Sequence, residues 1–206
     1  YSASILVCPP KPSARMTERG AIATPAQTRP LSLRNSDSKT VSGVFTRAVL
    51  PAHGGHVVAT ARGFVHARQL AENVLDIDAA ARAAGLFTRP EVTLFAHAIL
   101  IFFDVEAAFP SVSQEFMMLL LDWLGLPLGL VLLIRMSYLF NGVYDDEGNL
   151  VFAFLSGILQ GCPMSGWLST LIYNPFLKGR GRSRACADGL GACLFCIRFL
   201  KHFLEQ

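Results

Sequence analysis

Charge is scarce in this chain. Charged residues make up 16% of its 206 residues, against 52% hydrophobic ones. Soluble domains usually carry about a quarter charged residues. The shortfall excludes a disordered, solvating chain and calls for one sizeable core, or one core with a smaller lobe. It also fits a piece of a larger protein that still carries its inter-domain faces. Cysteine is missing as a framework. The five cysteines, Cys8, Cys162, Cys186, Cys193 and Cys196, are odd in number and irregular in spacing, which excludes a secreted disulfide scaffold. Cys193-Leu-Phe-Cys196 has no second CxxC to complete a zinc site, so buried reduced thiols are expected there. Long apolar runs are missing as well. The most hydrophobic region, Phe116 to Phe140, is cut by Asp122, Gly125, Pro127, Gly129 and Arg135. It predicts two core helices around a turn and no membrane span. No signal peptide is visible, and an opening Tyr1 in place of Met suits a fragment.

Basic residues are nearly absent from the middle of the chain. Residues 91–177 hold one Lys/Arg against eight Asp/Glu, whereas residues 1–90 hold eleven against five and residues 178–206 hold six against two. A basic lobe beside an acidic one suits a protein that grips a polyanion with one part and holds cations with the other. Ordinary surface variation is the plain alternative.

What is present is a series of short elements. Ser4 to Cys8 reads as an edge strand, followed by a mobile Pro-containing hairpin to Pro30 and a short strand at Leu31–Leu33. Asn35 or Ser36 can cap a helix over Asp37–Leu50 whose apolar face is Val41, Val44, Phe45 and Ala48. Residues 51–62 read as loop. A second helix over His66–Ala84 carries Leu70, Val74, Ile77 and Ala81 at helical spacing. A buried strand spans Ala96–Val105. Ser111 or Ser113 caps a helix to Leu124, and another covers Leu128–Leu139. Val143–Phe154 reads as a hairpin around Asp146-Glu147-Gly148. Pro163 opens a helix to about Leu177. Residues 178–184 read as a basic linker, Arg184–Phe195 as a hairpin around Asp188-Gly189, and a last helix ends the chain.

Three features stand out chemically. The apolar run ILIFF ends in Asp104; a loop runs from Ser156 through Gly157, Gln160 and Gly161 to Ser165; and a hairpin carries Asp188 at its tip. Asp104 alone has a plain alternative, as the cap of the next turn. Two strand-end carboxylates, adjacent in a sheet, can hold Mg²⁺, which takes one or two carboxylates and leaves its other positions to phosphate and water. Two such ions clamp the attacking and leaving oxygens of a phosphoryl transfer.

These segments, in this order, resemble the reverse transcriptase domain of non-LTR (LINE-like) retrotransposons, with kinship to group II intron enzymes. VCPPKPS resembles the first fingers motif. Arg29 to Lys39, RPLSLRNSDSK, resembles its RP-(L/I)-SL-x-N-x-D-x-K segment. Gly63 to Asn73, GFVHARQLAEN, resembles its GF-V-x-G-R segment. Phe103-Asp104 through Phe109 resembles palm motif A, Gly157 through Ser165 motif B, and Ala187-Asp188 stands where motif C belongs.

The resemblance implies an α+β fold. Residues 1–95 would form a basic fingers-like region. Residues 96–206 would form a partial palm, an antiparallel sheet with packed helices, carrying motifs A, B and a degenerate C. The thumb would be missing. It implies an RNA-directed DNA polymerase whose Asp104 and Asp188 hold the catalytic Mg²⁺ (or Mn²⁺). Phe109 would sit under the incoming sugar and exclude a 2′-hydroxyl. Gln160 and Gly161 would contact nucleotide and template, and Lys11 and Arg29 the triphosphate. Arg34, Lys39, Arg62 and Arg68 would line the template path. Partners would be an RNA template, a DNA primer and deoxynucleoside triphosphates, with no membrane, in the nucleus or cytoplasm.

Four departures accompany the match. Gly189 replaces the second motif C aspartate, Cys186 the motif's aromatic, Gly166 the usual Pro after Ser165, and Ala67 the usual Gly before Arg68. The link from Leu177 to Ala185 is also short for the family. A degenerate remnant that at most binds RNA or DNA is the second reading, and a fragment with no nucleic-acid role the third. An apolar face where a thumb should dock predicts poor solubility.

Overall fold

The computed structural model describes residues 4–12, 15–18, 20–24, 27–29, 31–87, 99–139, 141–145, 147–179, 183–186 and 189–194. The chain is a mixed α+β protein of two compact units. One comprises residues 1–47 and 109–165, the other residues 48–108 and 166–206. Each therefore draws on both the expected 1–95 and 96–206 regions.

The first unit is built on a four-stranded sheet in the order β4-β1-β6-β7, with β1 Ser4–Val7, β4 Leu31–Arg34, β6 Asn141–Tyr144 and β7 Leu150–Phe154. β1 runs antiparallel to β4 and parallel to β6, and β6–β7 is the expected hairpin. Its turn closes on Gly148 at φ 86, a left-handed conformation that suits glycine. A separate hairpin pairs β2 Arg15–Thr17 with β3 Gly20–Ile22. Helices α3 Gln114–Trp123 and α4 Leu128–Tyr138 follow the sequence pattern closely. The Ser113 side chain caps α3 by accepting from the Phe116 amide, and Gly125 at φ 65 turns the chain into α4. Met117, Leu121, Ile134 and Val143 are fully enclosed.

The second unit holds a three-stranded antiparallel sheet in the order β5-β9-β8, with β5 Ile99–Asp104, β8 Ser183–Cys186 and β9 Gly189–Leu194. α2 Leu70–Phe87 packs on it, and α5 Ser165–Gly179 buries Trp167, Leu168 and Leu171. Helix α1, Ser36–His53, is capped by the Asn35 side chain, which accepts from the Ser38 amide at 2.8 Å.

Several expectations need correction. β5 is not a buried strand: its burial alternates, and Leu100 and Phe102 are exposed on the same face as Asp104. Residues 51–62 are not all loop, because α1 continues through Pro51 to His53 and a 3₁₀ turn follows at Gly54–His56. α5 starts at Ser165 rather than Pro163, and helix and strand take up most of the supposed linker 178–184. The apolar stripes also point the wrong way. On α1, Val41, Val44 and Phe45 are exposed while Ser38, Ser42 and His53 are buried. On α2, Leu70 and Val74 are exposed and Asn73 is buried. The cause on α2 is polar anchoring: Asn73 Nδ2 donates to the Ala185 carbonyl at 3.0 Å, and Asp76 accepts from Arg184 Nε at 2.9 Å. These bonds bind the Asn73–Asp76–Ile77 face to the sheet. The expected C-terminal helix and residues 96–98 lie outside the described residues.

Candidate active site

β5 presents Asp104 at its very end. The strand pairs with β9 in a register that sets Asp104 opposite Gly189, while Cys186 opposes Gly189 across β8 and β9. Asp188 lies in the two-residue link between β8 and β9 and is outside the described residues, as is Ala187. Asp104 is solvent-exposed. Among the described residues no ion pair or hydrogen bond is found for its carboxylate, so it is available to a ligand. No group of three metal-binding side chains occurs among the described residues. The described donor is thus Asp104, whose strand partner Gly189 follows Asp188 in sequence. One or two carboxylates suffice for Mg²⁺, whose remaining positions go to phosphate and water.

Beside this strand end lies a small apolar cavity of about 40 Å³, lined by residues that include Val105, Tyr173, Ala185 and Gly189. Tyr173 donates its hydroxyl to the Ala108 carbonyl at 2.9 Å, tying α5 to the segment after Asp104.

The Gly157–Ser165 loop belongs to the first unit. It is held against residues 109–114 by backbone bonds: Gly157 N to Val112 O at 2.7 Å and Ile158 N to Phe109 O at 2.8 Å. Gln114 Nε2 adds a bond to the Gly157 carbonyl at 3.1 Å. Gly157 sits at φ 83, and a Cβ there would lie 2.9 Å from Pro110 Cα and O. Only glycine allows the two segments to touch. Gly161, at φ 100, makes the second turn, and the Ser165 hydroxyl bonds back to the Leu159 carbonyl. The loop and Pro110 enclose a cavity of about 120 Å³, with Gln160 and Phe154 in its wall. Phe109 is half-buried at the start of the segment on which the loop packs.

Lys11 and Arg29 also belong to the first unit, and their placement is more ordered than the sequence suggested. The β1–β4 register continues past the strands. Pro10 bridges Thr28, the Lys11 amide donates to Gln27 O at 2.7 Å, and the Arg29 amide donates to Pro9 O at 3.0 Å. Lys11 is thus opposite Gln27 and diagonal to Arg29, on one face of the ladder. Two cations 18 residues apart in sequence are brought onto one face by strand pairing.

The residues expected on a template path divide differently. Lys39 is exposed in the first turn of α1. Arg34 is buried at 6% exposure. Arg62 is engaged with Glu72 at 3.0 Å, Asp76 at 2.8 Å and Asn73 at 3.0 Å. The guanidiniums of Arg62 and Arg184 hold the Asp76 carboxyl below its usual range. Arg68 donates to the carbonyls of Gly54, Val57, Val58 and Ala61 at 2.6–3.2 Å. Arg62 and Arg68 therefore have internal structural partners rather than open charge, and Arg34 is enclosed rather than displayed. Sequence reasoning missed this because an isolated Arg reads alike as a surface ligand or as a lock for carbonyls.

Two solved structures share this architecture. Apo telomerase from Candida tropicalis matches over 100% of the present chain and 41% of its own, with a TM-score of 0.59 and 12% identity. A form of it described as truncated from the C-terminal domain matches over 100% and 47%, with a TM-score of 0.58 and 12% identity. Telomerase is a reverse-transcriptase-type polymerase. The chain has a coarse reverse-transcriptase-like fold. It spans less than half the length of the telomerase chains it matches. At 12% identity the likeness speaks for the fold and not for the chemistry. No family model matches the sequence, and no curated protein matches it. No helix among the described residues is long and apolar enough to cross a membrane.

Two positions noted in the sequence acquire a structural setting. Ala67 stands at φ 59, the left-handed region where a glycine would be unstrained. Gly166 faces the Phe64 ring so closely that a Cβ would meet its Cδ1 at 2.6 Å.

Proposed function

We propose that this chain is the fingers and partial palm of an RNA-directed DNA polymerase of the non-LTR retrotransposon type. The observation that carries the reading is the pairing of Asp104 with Gly189, which brings the end of the motif A strand to the hairpin of the motif C position. The order of the sequence motifs and the reverse-transcriptase-like fold support it.

In this reading Asp104 and Asp188 hold Mg²⁺ or Mn²⁺, which when bound neutralises charge on the attacking and leaving oxygens of nucleotidyl transfer. The primer 3′-hydroxyl attacks the α-phosphate of a deoxynucleoside triphosphate, and pyrophosphate leaves. Lys11 and Arg29, on one face of the extended β1–β4 ladder, bind the triphosphate as a charge pair. The Phe109 ring occupies the space of a 2′-hydroxyl. Gln160 and Gly161 orient the nucleotide from the Gly157–Ser165 loop. Lys39 is the template ligand with the most accessible charge.

The second reading is a remnant that binds RNA or DNA without extending it. Gly189 opposite Asp104 favours it, because one carboxylate of the family's motif C is lost. Primer extension separates the two. The wild-type chain and Gly189→Asp should extend a DNA primer on an RNA template, and Asp104→Ala should not. No extension even by Gly189→Asp, with a salt-dependent duplex shift retained, supports the remnant.

A further inference from the structure

The first unit buries a guanidinium that no carboxylate among the described residues neutralises. Arg34 closes β4 at 6% exposure. An ion taken out of water needs a partner. Among the described residues it has no carboxylate. Nη1 reaches Cys162 Sγ at 3.6 Å, a weak acceptor, and Nη2 reaches the Ser137 carbonyl at 3.4 Å. Nε has no partner among the described residues.

The surroundings of Arg34 are as unusual as the charge. The ladder sets Ser4 opposite Arg34 on one side and opposite Val143 on the other, and Asn141 lies two residues before Val143. Side chains alternate along strands, so Ser4, Arg34 and Asn141 share one sheet face. That face is buried, with Ser4 at 3% and Asn141 at 0% exposure. Ser4 Oγ, Asn141 Nδ2 and Asn141 Oδ1 have no hydrogen-bond partner among the described residues. Tyr138, three residues before Asn141, adds a buried hydroxyl that lies near the Leu159 carbonyl and Ser165. Burial raises that hydroxyl's pKa, and Arg34 is among the groups that act on it, so the two are neighbours.

Arg34 Nε–H and Asn141 Nδ2–H can only donate, the Ser4 and Tyr138 hydroxyls can donate or accept, and Asn141 Oδ1 accepts. Fixed donors and hydroxyls free to turn their protons inward, around a cation with no carboxylate partner among the described residues, match an anion. We propose that the inner face of the four-stranded sheet holds a small monovalent anion, chloride in size and charge, on Arg34, with Ser4, Asn141 and Tyr138 as neutral donors. One cation calls for one negative charge. The closed burial of the three strand residues favours an ion no larger than a halide over phosphate. Through Cys162 the site would brace the Gly157–Ser165 loop from behind.

The test needs no polymerase activity, so it stands apart from the functional reading. The melting temperature of the full chain is measured in sodium chloride and in sodium gluconate at equal ionic strength. A bound chloride should raise it by about 3 °C per tenfold increase above its Kd, with bromide able to substitute. Arg34→Met, similar in length and uncharged, should fold and lose that slope. Equal melting in chloride and gluconate overturns the proposal, and so does an undiminished slope in Arg34→Met. If Arg34→Met does not fold, the ³⁵Cl line width with the wild-type chain decides. Excess broadening that bromide displaces and Asn141→Ala reduces is expected, and its absence overturns the site.

Discussion

Asp104 and Gly189 are direct partners across β5 and β9, at the end of the sheet where Asp188 precedes Gly189 in sequence. Side chains of directly opposed residues stand on the same face. A carboxylate at position 189 would therefore stand beside that of Asp104.

Gly189→Asp should lower stability by roughly 0.2–1 kcal/mol in a chelator, because like charges directly opposed repel. Added Mg²⁺ should reverse the sign, since the repelling pair becomes a chelating one. Thermal denaturation of wild type and variant, with and without Mg²⁺, checks this. A variant as insensitive to Mg²⁺ as Asp104→Ala would count against a metal at this strand end.

Ala67→Gly should stabilise the chain by about 1 kcal/mol. Ala67 stands at φ 59, where a Cβ costs about 1–2 kcal/mol and glycine gives part of that gain back as chain entropy. Urea denaturation reads the change directly, and a destabilised variant would contradict the strained turn.

Gly166→Pro restores the residue the family pattern has, yet it should destabilise this chain. A Cβ at 166 meets the Phe64 ring at 2.6 Å, near the base of that side chain and not at a flexible tip. Pairing it with Phe64→Ala should recover part of the loss, a coupling that a double-mutant cycle measures.

Acid should weaken the second unit through His53. The ring is 2% exposed and packs edge-on to Trp167. The Thr170 hydroxyl donates to the Trp167 carbonyl at 2.9 Å, so it accepts from His53 Nε2–H at 2.8 Å, which fixes a neutral tautomer. Burial, helped by the Arg68 and His56 charges, lowers the His53 pKa to about 4 from 6.5. The unfolded chain therefore binds the proton more readily. The contribution is complete above pH 6.5 and is lost as pH falls toward about 4. His53→Gln should flatten that part of a stability–pH profile.

Phe116, Leu119 and Trp123 form an exposed stripe on α3, with Trp123 74% exposed. Leu119→Glu with Trp123→Glu should raise solubility severalfold while shifting the melting temperature little. A large loss of stability would show that the stripe is part of a core.

The sequence made particular elements legible for local reasons. Ser113 before an amphipathic run defines α3, and Gly148 defines the β6–β7 turn. Gly157 and Gly161 mark the loop because positive φ admits little else. The faces of α1 and α2 were not legible. Hydropathy ranks Val41 and Val74 above Ser42 and Asn73, yet Asn73 is anchored by the Ala185 carbonyl, a partner 112 residues away. The internal roles of Arg62 and Arg68 were hidden for another reason: their partners lie 7–14 residues away, in loop carbonyls and on α2, where no regular spacing signals them.

Chain order and residue type thus determined which segments exist: a strand ending in Asp104, a Gly-Gln-Gly loop, a hairpin linking β8 and β9. They act locally, through backbone preference and periodicity. Tertiary structure alone decided that Asp104 faces Gly189, that Lys11 lies diagonal to Arg29, and that Arg34 is enclosed rather than displayed. Each of these depends on strand register and on long-range partners, and pairing energy between distant residues is written in no single stretch of the chain.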